Sequence, residues 1–168
     1  WRRAGEVPTV GNWFRAAGYD THYDGKWHVT HADLMRNGRP LPTNTSGGRV
    51  LADNVQAYLD ADPLEPFGFS GWVGPEPHGG AVANSGYIRD PLIADRVVTW
   101  LEDRYRRRAA GDTDAQRPFL LICCFVNPHD IVLAPLFPRG GKPFPPSGAP
   151  PPATHTPSRR AVWSSTGI

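Results

Sequence analysis

The stretch that most limits the fold is Pro118-Phe119-Leu120-Leu121-Ile122-Cys123-Cys124-Phe125-Val126. It is apolar throughout and does not alternate. A strand with one wet face alternates; a strand covered on both faces reads like this one, as in a parallel sheet with helices on each side. Neighbouring side chains on a strand point to opposite faces, so Cys123 and Cys124 are poorly placed to bond each other. They read as small buried hydrophobes rather than as metal ligands or a redox pair.

The rest of the chain supplies partners for such a strand. Val10, Trp13, Phe14 and Ala17 fall at i, i+3, i+4 and i+7, which predicts a short helix over 9–17 with that face buried. Thr9 can cap its start and Gly18 can end it. Tyr19 to Asp24 then reads as a strand. Asp90 to Ala110 is the clearest helix, with Asp90 as N-cap and Pro91 at the first helical position. Its apolar stripe is Ala94, Val97, Val98, Leu101 and Tyr105. Arg104 and Arg106 to Arg108 crowd its C-terminal end, where positive charge complements the helix dipole; a polyanion patch is the functional alternative. In between, Asn37-Gly38 marks a small hairpin within 34–42. Leu51 to Ala61 reads as a helix with Val55, Tyr58 and Leu59 inward. Pro63 to Gly86, rich in Gly, Pro and aromatics, reads as an ordered but irregular segment. Helix, strand, helix, buried strand is the order of an α/β fold. Residues 134–168 hold nine prolines and no periodicity, which predicts a Pro-rich, poorly ordered tail after a folded part over 1–133.

Charge excludes little but helps. A formal charge of +2 is too small to argue for nucleic acid or a membrane surface. No apolar run approaches the roughly 20 residues of a membrane helix. The 18 basic residues are nearly all Arg, so Lys26 and Lys142 each call for a reason. Asn44-Thr45-Ser46 matches a glycosylation sequon, a triplet common enough by chance to be discounted.

Ligands of α/β folds bind beyond the carboxyl ends of the strands. The first strand runs into Gly25-Lys26-Trp27-His28 and the second into Asn127-Pro128-His129-Asp130. If the strands are parallel neighbours, Lys26, His28 and His129 share one edge. A Lys ammonium suits the oxygens of phosphate or sulfate, and a His exchanges protons near neutral pH. The trio suits an anionic ester. A surface loop with a packed Trp, and a His capping a strand end, account for the same residues.

Gly18-Tyr19-Asp20-Thr21-His22-Tyr23-Asp24-Gly25-Lys26-Trp27-His28 closely resembles the AGY-x-T-x-x-x-GKWH segment of type I sulfatases, in the alkaline-phosphatase-like superfamily. Pro118-Phe119-Leu120 through Asn127-Pro128-His129-Asp130 resembles the later PFFL…PH strand and loop of that family, and Asp90 to Leu101 the helix before it. The resemblance runs over roughly residues 5 to 133. It implies a partial alkaline-phosphatase-like sandwich with a mainly parallel sheet flanked by helices, and a catalytic domain whose first and last parts lie outside 1–133. It implies hydrolysis of a small-molecule or sugar sulfate ester by a formylglycine nucleophile, made from Cys or Ser, with a divalent cation, usually calcium. Lys26 would then contact the sulfate and the nucleophile's oxygens. His28 would assist the hydrated aldehyde, and His129 would bind sulfate or protonate the leaving oxygen.

The departures are specific. The nucleophile motif Cys or Ser-x-Pro-x-Arg is absent. The acidic pair, the later metal box and a second active-site Lys are not found, and Lys142 follows His129 too closely to be that Lys. This chain alone is therefore expected to show no sulfatase turnover. Two other readings stay open: a phosphonate or phosphate ester hydrolase of the same superfamily, and a non-catalytic anion-binding fragment. Among the other polar residues, His22 reads as packing, and Asp24 and Asp130 as strand-end residues or orienters of a neighbouring His. His31 reads as a pocket neighbour or a surface residue, His78 as part of a structural loop, and His155 as part of the tail.

Overall fold

The computed structural model describes residues 7–77 and 81–128. It begins with α1 (Val10–Ala16), which carries a full capping box: Thr9 accepts from Asn12 N, and the Asn12 side chain accepts from Thr9 N. The expected apolar face is not what packs. Val10 and Trp13 are exposed, and Gly11 is the buried position, set against Gly68 and Phe69. The helix approaches residues 67–69 so closely that a Cβ at Gly11 would meet the Phe67 and Gly68 carbonyl oxygens and the Phe69 ring.

Strand β1 (Asp20–Gly25) follows, then a hairpin of β2 (Met35–Arg36) and β3 (Arg39–Pro40). Asn37 and Gly38 both have positive φ, 52° and 74°, as a two-residue type I′ turn requires. Helix α2 (Ala52–Ala61) buries Tyr58 completely and packs Val55 on the core, whereas Leu59, expected inward, is exposed. The segment after it is irregular, as anticipated, with two short 3-10 turns at Glu65–Phe67 and Val82–Asn84. It nevertheless supplies much of the core: Phe67, Phe69, Trp72 and Val73 are buried with Tyr23, Trp27 and Leu41. At Ser70 it bridges onto β1, with Ser70 N donating to Thr21 O and Tyr23 N to Ser70 O.

Helix α3 (Gly86–Ala109) starts a turn earlier than expected, behind Ser85, whose carbonyl accepts from Ile88 N and Arg89 N. Pro91 therefore lies inside the helix rather than at its first position. Asp90 is not the cap; its carboxylate is used elsewhere. Within the stripe, Val97 is buried and Leu101 packed, but Val98 and Tyr105 face solvent, while Ile93 is buried in their place. The short α4 (Thr113–Gln116), capped by Asp112, leads into β4 (Phe119–Cys124).

β4 pairs parallel with β1, Asp20 opposite Phe119 and Gly25 opposite Cys124. Leu120, Ile122 and Cys124 pack against the Tyr23–Trp72 core; Leu121 and Cys123 pack against Ile93, Val97 and Val126 under α3. Both faces are thus used, and the two free cysteines serve different clusters. The strand is half-buried rather than fully covered, since its outer edge meets no further strand among the described residues. The molecule is a mixed α/β structure with a parallel sheet flanked by helices. No helix among the described residues is long and apolar enough to cross a membrane. The Asn44 amide is buried and donates to the carbonyls of Thr45 and Ala83.

The contact between α3 and β1 is polar and periodic. Asp24 takes both nitrogens of Arg96, at 2.6 and 2.7 Å; His22 stacks on Trp100 at 4.6 Å; Asp20 pairs with Arg104. Four residues of helix and two of strand each advance about 6 Å, so positions 96, 100 and 104 match 24, 22 and 20 rung by rung.

Burial holds the His22 imidazole below its ordinary 6.5, against the opposing pull of Asp24 and Asp20; Arg96 adds to the lowering and Asp62 opposes it. The unfolded chain then binds a proton that the folded chain refuses. Folding stability is full above the unfolded value and is lost as pH falls below it toward the folded value. The urea midpoint is expected to drop between pH 7 and pH 5, and His22→Phe to flatten part of that drop; an unchanged slope in the variant counts against this assignment.

Candidate functional site

The parallel register brings the two polar strand ends out side by side. Lys26 N donates to Cys124 O at 2.8 Å, so the chain at Lys26 leaves the sheet next to Phe125. Gly25 makes this possible. Its φ is +97°, and a Cβ there would lie 1.9 Å from the Cys124 carbonyl oxygen.

The box from Gly25 to His28 is held at successive backbone groups. Trp72 Nε1 donates to Gly25 O at 2.8 Å, the Tyr23 hydroxyl donates to Lys26 O at 2.6 Å, and Trp27 N donates to Glu76 Oε2 at 2.9 Å. Trp27 is itself buried, with its indole N–H on Thr30 Oγ1 at 2.8 Å and its ring edge-on to Tyr23 and Phe69. The tryptophan of the box is thus the anchor, and it sets Lys26 and His28 on either side of itself. Lys26 is half-buried; His28 is exposed and takes a left-handed φ of 51°. Burial pushes the Tyr23 phenol well above the ordinary tyrosine range, which keeps it a neutral donor to Lys26 O.

Asp24 does not orient a histidine. Fully buried, it spends both oxygens on Arg96. His22 packs against Trp100, in line with its expected structural role, and His31 is solvent-exposed. Lys26 leaves β1 beside the end of β4, and His28, two residues on, stands against Glu76. The third expected member, His129, lies outside the described residues, as do His78, Asp130, Lys142, His155 and the tail. What is described is the path toward it. Asp90 of α3 accepts from Val126 N at 2.6 Å and Asn127 N at 3.1 Å, fixing the turn after β4 immediately before Pro128.

Two further residues organise the site and escaped the sequence reading. Glu76, in Gly74-Pro75-Glu76-Pro77, is buried beneath the box; its own N–H donates to Asp33 Oδ1 at 2.7 Å. Arg89 is buried and bonds the Pro75 carbonyl at 2.8 Å and Asn44 Oδ1 at 2.9 Å, strapping that segment to α3. Burial, first, and Arg96, second, lower its guanidinium to about 10, still charged at neutral pH. The one signal for Glu76 was an acid standing in a run of prolines and apolar residues, where an exposed loop explains it equally well.

Among the described residues no three His, Cys, Asp or Glu side chains converge to hold a metal ion. Those residues therefore do not fit a calcium site. The arrangement offers a half-buried lysine and an exposed histidine just beyond a strand end, chemistry suited to binding an oxyanion and moving a proton.

The family model described as Sulfatase matches residues 1–159. No curated protein and no solved structure matches the chain.

Proposed function

The chain belongs to the sulfatase family, and from that premise we propose that it is part of a sulfuric ester hydrolase acting on the sulfate ester of a small molecule or a sugar. Lys26 neutralises non-bridging sulfate oxygens, as a compact ammonium does best. His28 serves the nucleophile side of the reaction, and His129 binds sulfate or protonates the leaving oxygen. The nucleophile in this reading is a formylglycine and the cation calcium. Both would be supplied by other parts of a sulfatase catalytic domain, which would also complete the partial domain at 1–133. The observation that carries the reading is the parallel register of β1 and β4, which sets Lys26 beside the start of the turn leading toward His129.

The test is anion binding by the 168-residue chain, read from backbone amide shifts. Sodium sulfate is expected to move the signals of residues 25–28 and 125–127, and sodium chloride at matched ionic strength to leave them in place. Lys26→Met is expected to weaken sulfate binding at least about tenfold, or about 1.4 kcal/mol. The Lys26 anchors are backbone groups, so the variant keeps the fold. Equal shifts with chloride, or unweakened binding in the variant, would sink the proposal.

A further inference from the structure

We propose that Glu76 is a positioning residue for His28: its buried carboxylate holds the imidazole by Nδ1 and selects the tautomer that carries its proton there. Three observations converge on this. Glu76 is 6% exposed, so its carboxylate must be satisfied within the protein. One oxygen, Oε2, is bonded to Trp27 N at 2.9 Å, which ties the carboxylate to the residue before His28. The other, Oε1, has no hydrogen-bond partner and stands 3.5 Å from His28 Nδ1. A few tenths of an ångström of imidazole motion closes that distance to an ordinary bond.

The carboxylate is poorly able to move instead. The peptide that precedes it is held at both polar atoms, Glu76 N donating to Asp33 Oδ1 and Pro75 O accepting from Arg89. His28, by contrast, is exposed, on a left-handed backbone that a non-glycine residue adopts at a cost of about 1 kcal/mol or more. A solvent-exposed imidazole has room to close the gap to a fixed, incompletely bonded carboxylate. The carboxylate accepts only, so Nδ1 must be the protonated nitrogen. In the neutral ring Nε2 then carries the lone pair and is the atom that can take a proton from a reacting group. A carboxylate behind a histidine fixes tautomer and ring orientation in this way in many sites.

The catalytic meaning of this arrangement rests on the role proposed for His28; the tautomer itself does not. The measurement is long-range proton–nitrogen correlation on the chain labelled at histidine nitrogen, at about pH 9. His28→Asn, which tolerates a positive φ, identifies the signals by their loss. The expected result is Nδ1–H in the wild-type chain. Glu76→Gln, whose single oxygen is taken by Trp27 N so that its amide N–H2 faces Nδ1 as a donor, and Glu76→Ala are both expected to shift the population toward Nε2–H. An Nε2–H tautomer in the wild-type chain overturns the proposal without recourse to any variant, and so does an unchanged tautomer in a folded Glu76→Ala. Sulfate titration reads the other question separately. Failure of sulfate binding with Nδ1–H intact removes the hydrolase reading and leaves Glu76 in place; the reverse pattern removes Glu76 alone.

Discussion

Arg96→Met is expected to lower the unfolding free energy by about 3–5 kcal/mol, the range for stripping one partner from a buried ion pair. Asp24 is fully buried and both its carboxylate oxygens accept from Arg96. Methionine keeps the stem packing and removes the charge, so the deficit reports the stranded carboxylate rather than a cavity. The double variant Asp24→Leu with Arg96→Met is expected to recover much of the loss, since replacing both partners of such a pair by apolar residues is often close to neutral. Urea unfolding of the single and double variants checks this. A single variant within about 0.5 kcal/mol of wild type would mean that Asp24 is solvated in a way its burial excludes.

The second large effect belongs to Gly25. Gly25→Ala is expected to cost about 3 kcal/mol or more, combining strain at a φ of +97° with a Cβ 1.9 Å from the Cys124 carbonyl. That contact is backbone on a paired strand, so relief requires the end of β4 to retreat. Retreat breaks the Lys26 N to Cys124 O bond and draws the two polar strand ends apart. Amide exchange at Lys26 should rise more than at Asp20, whose N–H bonds Pro118 O at the other end of the same strand pair. A stable variant with Lys26 still protected would show that the close approach is not a requirement of the fold. The glycine of the box is there for the sheet, and the lysine after it is placed by that same approach.

Much of this was legible locally. Thr9 as a cap, the Asn37-Gly38 turn and the unalternating run at 118–126 each act over a few residues, where side-chain chemistry and backbone preference are written side by side. The residues of the box were legible too, through the resemblance and through the rule that α/β sites lie beyond strand ends. Faces were less legible. Val10 and Trp13, Leu59, and Val98 and Tyr105 are apolar at helical spacing yet exposed, because periodicity states that a stripe exists and not what is present to cover it.

The amino-acid order alone determined two strands, their helices, the polar groups at the strand ends and the sulfatase likeness. Only the folded chain decided which charges meet. Asp20, His22 and Asp24 alternate along a strand; Arg96, Trp100 and Arg104 repeat every four residues on a helix more than seventy positions later. Neither pattern names the other until a rise of about 6 Å per step is shared across the packed layer. Glu76 likewise acquired its meaning from position: a carboxylate in a proline-rich loop says nothing until packing removes its water and leaves Trp27 and His28 as its neighbours.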